Sequence, residues 1–300
     1  MPSQTSKRRS TSKTVATKPA CAPLLAMYLE AERTRPQRWP EVEEAFLRAM
    51  EEFDDNVVSG LADQGDRQNG KGDFLNDLVA LLLENRSGVD LYSRRGLTGF
   101  VFPQHNLDVT YPNTATGIAK FALEVKAVGT PRHPKSPKQA PIGRPGAADL
   151  PKRVKEASFK AIDLKAEYGR TYPAHGQPSA DLTSWLHSVP PTSYLFISAR
   201  VVSKLDYDAT VELARAAGQV MDAVGLFCFE PESAATPTRY RACAVPREIG
   251  MDQVLYRASQ RLASLREEPV EEVGRATSHA AEAQQMLAEL HVSAESEEVG

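Results

Sequence analysis

The chain has 300 residues, of which 41% are hydrophobic, and a formal net charge of −3. These proportions suit a soluble globular protein, and no apolar run reaches the roughly 18 residues needed to span a bilayer. The amino terminus lacks the apolar centre of a secretory signal, so we predict a cytoplasmic protein with no membrane partner. The three cysteines have no metal-ligand spacing and are predicted to be reduced thiols: Cys21, Cys228 and Cys243.

The small net charge hides a strong segregation of charge along the chain. The first twenty residues carry five Lys or Arg and no acid, in a Ser/Thr-rich setting typical of a disordered arm. Between Lys126 and Arg170, eleven Lys and Arg stand against four Asp and Glu, whereas after Leu265 nine Glu stand against two Arg. The basic middle favours an anionic partner, of which nucleic acid is the commonest. We predict a disordered basic arm, a single α/β domain and an acidic, partly helical tail: 1–22, 23–268 and 269–300.

Helices are the first elements that the sequence predicts. Residues 41–52 place apolar side chains at helical spacing. The Gly-rich stretch GDRQNGKGD follows and is predicted to be a loop; it is not a phosphate-binding loop, because Gly72 stands where a Ser or Thr would hold Mg²⁺. Asp73 can cap a second helix over residues 74–86, whose apolar positions cover more than half of its circumference. This helix is therefore predicted to be largely buried.

Strands are predicted near Phe100, Asp108 and Leu123. A linker over residues 129–151 contains six prolines and is not expected to form regular structure. A basic helix is predicted next, over residues 152–168, with a continuous apolar stripe. The remaining predicted elements are a buried strand, a helix, two strands and a helix: SYLFISARVV, 209–224, GLFCFE, YRACAVP and 251–266. Together these elements predict an α/β fold.

The segments HNLDVTYP and KFALEVKAVG are apolar strands that carry charges. Side chains alternate along a strand, so Glu124 and Lys126 point to the same face. Asp108 lies beside them if the two segments pair as a hairpin. Two converging carboxylates can hold Mg²⁺, and a nearby ammonium can position or deprotonate an attacking water. The alternative is an edge strand whose Glu and Lys simply face solvent.

This order of helix, strand with Asp, strand with Glu-x-Lys and covering helix, over residues 70–202, resembles the PD-(D/E)xK nuclease superfamily, and most of all a type II restriction endonuclease. The resemblance implies a restriction endonuclease-like core, in which helices flank a central mixed β-sheet. It also implies an acidic residue on the first core helix, which would be Asp77 or Glu84. The sequence departs from the family pattern at Leu107, where a proline is common.

The resemblance further implies a Mg²⁺-dependent deoxyribonuclease, in which Mn²⁺ substitutes for Mg²⁺. Its expected partner is double-stranded DNA, which it would cut at specific sites to leave 5′-phosphate ends, and it would act as a homodimer or higher homo-oligomer. The predicted catalytic residues are Asp108, Glu124, Lys126 and Asp77. The predicted metal ligands are Asp108, Glu124 and Val125. Alanine at position 124 or 126 is expected to abolish cleavage while leaving the fold intact.

Six basic residues are predicted to contact DNA. Arg94 and Arg95 precede GLTGF in a turn-like loop and could clamp phosphates. The others flank the apolar stripe of the basic helix, where they suit contacts with the DNA backbone: Lys152, Arg153, Lys155 and Lys160. His105, three residues before Asp108, is predicted to have a structural or DNA-contacting role.

A second class of function stays open. The same fold could serve as a catalytically silent DNA-binding or assembly protein that is held together by its acidic C-terminal helix. Metal-dependent cleavage of DNA separates the two classes, because only the nuclease requires it.

Overall fold

The computed structural model describes residues 22–31, 33–61, 64–114, 118–132, 143–173 and 181–267, with backbone only for 22, 25, 29 and 64–69. The predicted tail, and the predicted arm apart from Ala22, lie outside these residues. Within them the helices are α1 to α7: Ala22–Glu30, Trp39–Val58, Gln64–Ser87, Gly146–Thr171, Leu182–Ser188, Lys204–Ala217 and Met251–Glu267. The strands are β1 to β6: Tyr92–Leu97, His105–Tyr111, Phe121–Val128, Thr192–Arg200, Ala223–Pro231 and Tyr240–Cys243.

The six strands form one open, mixed sheet in the order β1-β2-β3-β4-β5-β6. Strands β3, β4 and β5 run parallel at the centre, and antiparallel strands complete both edges. The long helix α4 lies in the crossover from β3 to β4, as a parallel connection requires. The α/β class and the mixed sheet flanked by helices are therefore confirmed.

Alternate side chains of the central strands supply two separate cores. In β4, Tyr194 and Phe196 pack with helices α2, α3 and α7, whereas Leu195 and Ile197 pack with α4 and α6. This division follows from the alternation of side chains along a strand that is covered on both faces. None of the helices in the described ranges is both long and apolar enough to cross a membrane.

The Gly-rich stretch before Asp73 is helical, so the predicted loop is wrong there. Helix α3 begins at Gln64, and it packs closely on α2 because a Cβ at Gly70 would lie 2.8 Å from the ring of Phe53. At the next residue, the ammonium of Lys71 lies 2.5 Å from the buried carboxylate of Asp54 on α2. Contacts with α2 therefore override the weak helix propensity of glycine.

Three other predicted elements are also corrected. The region near Phe100 is a loop, and the strand before it, β1, contains Arg94 and Arg95, which were expected in a loop. Helix α4 begins at Gly146 instead of after Pro151, because Asp206 on α6 accepts hydrogen bonds from its first two N–H groups, at 3.3 and 2.8 Å. The helix predicted over 209–224 is α6, which begins and ends earlier.

Cys228 is buried and Cys243 is partly buried, opposite each other on β5 and β6, and both are free thiols as predicted. Burial raises the pKa of the Cys243 thiol to about 11, and burial also raises the pKa of Cys228. Neither thiol is activated as a nucleophile at neutral pH. Cys21 lies outside the described residues.

Candidate active site

Strands β2 and β3 form the expected hairpin, but they separate at Asp108. Their pairing covers only Val109–Tyr111 against Phe121–Leu123. On the other side of β2, Arg94 stands opposite Asp108 with a φ of +52°, a left-handed conformation that is uncommon outside glycine. The Asp108 side chain fills the resulting gap, because its Oδ2 accepts the N–H of Val125 at 2.8 Å. The Asp108 carboxylate thus accepts the hydrogen bond that a backbone carbonyl of β2 would accept in a regular sheet.

The three charged residues predicted from the strand pattern meet at this gap. The Nζ of Lys126 lies 2.6 Å from Glu124 Oε2 and 3.8 Å from Asp108 Oδ2. Glu124 has only 5% of its side chain exposed, whereas Asp108 has 33%. The predicted convergence of two carboxylates and one ammonium is therefore present, with Asp108 on the solvent side.

A fourth residue, Lys160 of α4, completes the cluster. Its Nζ donates to Glu124 Oε1 at 2.9 Å and to the carbonyl of Asn106 at 2.7 Å. Glu124 therefore lies between two ammonium groups, one from its own strand and one from the covering helix. Lys160 had been predicted to contact DNA, and the structure instead directs it to Glu124.

Burial and the charge of Glu124 together raise the pKa of Asp108, with Lys126, the Val125 N–H and Lys160 only partly opposing them. Burial alone would lower the pKa of Lys126, but the attraction of Glu124 and Asp108 outweighs it, so that the pKa is raised. Lys126 is consequently a stable cation at neutral pH. The Asp108 carboxyl is consequently harder to ionise than an ordinary aspartate.

The donors at the gap fit a hard divalent cation. Valine has only its backbone oxygen to offer, and the N–H and C=O of one strand residue point toward the same neighbouring strand. Because the Val125 N–H meets Asp108, the Val125 carbonyl faces the same gap. Two carboxylates, one carbonyl and access to water are a donor set that Mg²⁺ and Mn²⁺ accept. Such an ion would require the Lys126 ammonium to move out from between the carboxylates.

The helix acids do not extend this donor set into a larger cluster. Among the described residues, no group of three or more His, Cys, Asp or Glu is arranged to hold a metal. Asp77 is buried on α3 and accepts a hydrogen bond from the Asn76 amide at 3.3 Å. Glu84 accepts the N–H of Leu91 at 2.8 Å, which fixes the turn from α3 into β1. Glu84 is therefore a structural residue, and the catalytic role of Asp77 stays a prediction.

The predicted DNA contacts divide into two groups. Arg95 is only 2% exposed, and this burial lowers the pKa of its guanidinium, so it is not placed to clamp a phosphate. Arg94 is half-exposed but forms an ion pair with Asp73 of α3. On α4, Lys152, Arg153 and Lys155 are exposed as expected. Glu156 lies 3.8 Å from the Lys152 ammonium and 3.1 Å from the Arg153 guanidinium, which offsets part of their charge.

His105 has a clear structural partner. Its Nε2 lies 2.7 Å from Asp163 Oδ2, and both side chains are buried. The Asp163 carboxylate is itself desolvated, yet its hydrogen bonds with His105 and two loop N–H groups hold its pKa below the usual range. The pair fastens the start of β2 to α4, the helix that carries Lys160. The structural alternative for His105 is thereby favoured.

The described residues thus bring Asp108, Glu124 and Lys126 together, and they add Lys160, whose contact no sequence signal indicated. Arg153, predicted to bind DNA, lies near enough for its charge to oppose the protonation of Lys126 slightly.

No family model matches this chain, and comparisons with curated proteins and with solved structures find no match either.

Proposed function

We propose that this protein is a metal-dependent endonuclease that hydrolyses phosphodiester bonds of double-stranded DNA. The observation that supports the proposal is the approach of the Lys126 ammonium to both Glu124 and Asp108, at 2.6 and 3.8 Å, at the point where β2 and β3 separate. Burying an ammonium and two carboxylates costs desolvation free energy that apolar side chains would avoid. Their presence in the sheet therefore favours a functional role. The proposal includes a restriction endonuclease-like core of the PD-(D/E)xK kind.

Each residue of the cluster has a distinct role in this proposal. Asp108, Glu124 and the Val125 carbonyl would hold Mg²⁺ or Mn²⁺, which would offset charge on the scissile phosphate and lower the pKa of a bound water. Lys126 orients the attacking water. Its ammonium can reach that water once the ammonium has moved away from Glu124. Lys160 holds Glu124 in position from α4.

The substrate and assembly follow from the same proposal. Exposed cations on α4 would contact the phosphates of the bound DNA. Attack by water on phosphorus would break the bond to the 3′ oxygen, which would leave as a 3′-hydroxyl, and the phosphate would stay on the 5′ end. Two copies of the chain, acting as a homodimer, would supply one such site for each strand of a specific duplex sequence.

A silent DNA-binding or assembly protein is the second candidate function. It is favoured by one observation, which is that both oxygens of Glu124 already have a lysine partner. A cluster that is electrostatically satisfied by its own side chains has no need of a metal.

Cleavage of a large mixed DNA distinguishes the two candidates. The wild-type chain is incubated with Mg²⁺, with Mn²⁺ or with a chelator, beside Glu124→Gln and, as a control, Lys204→Gln on α6, where the side chain is 80% exposed. We expect metal-dependent fragments with 5′-phosphate ends from the wild type and the control, and none from Glu124→Gln. DNA that binds but stays intact under every metal would favour the silent protein.

A further inference from the structure

The loop between β1 and β2 presents apolar side chains to solvent. Phe100 is 57% exposed, Val101 66% and Phe102 50%. Most phenylalanines of the described residues lie in the hydrophobic core, so three consecutive exposed apolar residues are unusual here. We call Phe100, Val101, Phe102 and their neighbour Phe159 on α4 the aromatic ridge.

The aromatic ridge is held in place by a buried carboxylate. Asp163 of α4 accepts the N–H of Val101 at 2.8 Å and that of Phe102 at 3.2 Å, while its own carbonyl accepts the N–H of Phe100 at 3.2 Å. His105 adds a bond to the same carboxylate. A loop with no binding role could bury these side chains, but the hydrogen bonds to Asp163 hold this loop with the side chains facing solvent. Such pre-organisation favours a binding surface.

The aromatic ridge adjoins the candidate active site. The ring of Phe159 packs edge-to-face on Phe102, with centroids 5.3 Å apart, and 41% of Phe159 is exposed. The next residue along α4 is Lys160, which contacts Glu124. Phe159 and Lys160 therefore connect the aromatic ridge to the candidate active site along α4.

Cations share the helix face that carries Phe159. Lys152, Lys155, Phe159 and Ile162 occupy positions i, i+3, i+7 and i+10 of α4, which lie on one side of a helix. Lys152 has 79% of its side chain exposed, and Lys155 is exposed as well. Exposed ammonium groups beside exposed aromatic rings match a polyanion that also offers flat π faces, and nucleic acid has both.

We propose that Phe100 and Phe102 stack on DNA bases that are unstacked next to the scissile phosphate. This inference rests on the proposed function and adds a substrate preference to it. The site would favour DNA whose helix is kinked or locally unpaired at the position of the aromatic ridge, because only there do bases present their faces.

Fluorescence tests the stacking directly. Phe102→Trp places an indole on the aromatic ridge, whereas both natural tryptophans, Trp39 and Trp185, are buried. The control is Leu205→Trp on α6, where the side chain is 80% exposed. With Ca²⁺ present to limit cleavage, we expect a short duplex that contains a central mismatched bubble to quench the Phe102→Trp fluorescence and to leave the control unchanged.

Affinity supplies the second measurement. We expect the wild type to bind the bubble duplex about tenfold more tightly than the fully paired duplex, and Phe100→Ala or Phe102→Ala to lose that preference. Leu205→Ala should keep it. Melting temperatures of all variants show that each is folded.

The outcomes separate this inference from the proposed function. DNA binding without quenching, or with the same preference in Phe102→Ala, overturns the role of the aromatic ridge and leaves the nuclease proposal standing. Absence of binding to either duplex by the wild type overturns both. Self-association that Phe100→Ala abolishes, with DNA affinity unchanged, would instead assign these rings to contact with a second copy of the chain.

Discussion

Glu124 is a buried carboxylate with an ammonium group on each of its oxygens, at 2.6 and 2.9 Å. Removing one partner of a buried ion pair leaves the other charge uncompensated, and that costs more than the pair contributes. Alanine at position 124 would leave Lys126 and Lys160 facing each other across a cavity. The expectation that this substitution spares the fold is therefore not supported by the burial of Glu124, and Glu124→Gln is the better variant.

We expect Lys126→Met to reduce DNA cleavage by about 100-fold or more, because a group that orients the reacting water is lost. Affinity for DNA in Ca²⁺ should change little, since phosphate contacts spread over α4 supply it. Single-turnover cleavage and fluorescence anisotropy measure the two quantities. Lys204→Met, at an exposed lysine of α6, is the matched control. Wild-type cleavage by Lys126→Met would place the active site elsewhere.

Lys160→Met tests the contact with Glu124 that the sequence did not indicate. It removes the donor to Glu124 and Asn106, so we expect cleavage to fall about tenfold while the metal concentration needed for half-maximal cleavage rises. That second effect marks a positioning residue, because simple loss of a DNA contact would change DNA affinity instead. If only DNA affinity falls, Lys160 acts on the phosphate backbone.

The raised pKa of Asp108 predicts how stability depends on pH. A carboxyl whose folded pKa lies above its unfolded value destabilises the fold once it ionises, so this penalty is present at neutral pH and disappears as pH falls below both pKa values. Asp108→Asn removes the charge but keeps an acceptor for the Val125 N–H. We expect its melting temperature to exceed that of the wild type at pH 7, with no difference near pH 3. A constant difference across pH would contradict this cause.

At the scale of elements, helix α4 carries Lys160, the exposed cations and Phe159 of the aromatic ridge, so the position of α4 sets where these side chains lie. Its start is fixed by Asp206, which accepts N–H groups from Gly146, Ala147 and, in its own loop, Val202. A proline at position 145 cannot cap the helix with its side chain. The sequence of the helix thus explains its apolar stripe, whereas a residue about sixty positions away explains its beginning.

We expect Asp206→Ala to lower the free energy of unfolding by about 2 kcal/mol or more, because three N–H groups lose their acceptor. Asp208→Ala, on the same helix but half-exposed, should cost less than about 0.5 kcal/mol. Urea unfolding followed by circular dichroism compares them. Equal costs would show that α4 begins independently of Asp206.

At the scale of the whole molecule, the salt dependence of binding tests the proposed DNA partner. If Lys152, Arg153 and Lys155 grip phosphates, replacing all three with Gln should flatten the slope of log affinity against log salt by roughly 2 to 3 units. The control replaces three exposed cations on other elements: Arg48, Lys204 and Arg241. Equal slopes for the two triple variants would mean that the cations of α4 are merely solvated.

The sequence by itself determined the α/β class and the meeting of Asp108, Glu124 and Lys126. Both rest on local geometry, since side chains alternate along a strand and a short connection pairs neighbouring strands. The apolar stripe of α4 could be predicted for the same reason, because it follows from the periodicity of one segment. These features need no knowledge of distant contacts.

Only the tertiary structure decided that Lys160 reaches Glu124, that Arg95 is buried and that the stretch before Asp73 is helical. Each depends on which face of a helix meets which strand or helix, and that is set by packing between segments far apart in the chain. Propensity and periodicity describe one segment at a time. They therefore identify the charged residues of the strands and the basic helix, but not the contact between Lys160 and Glu124.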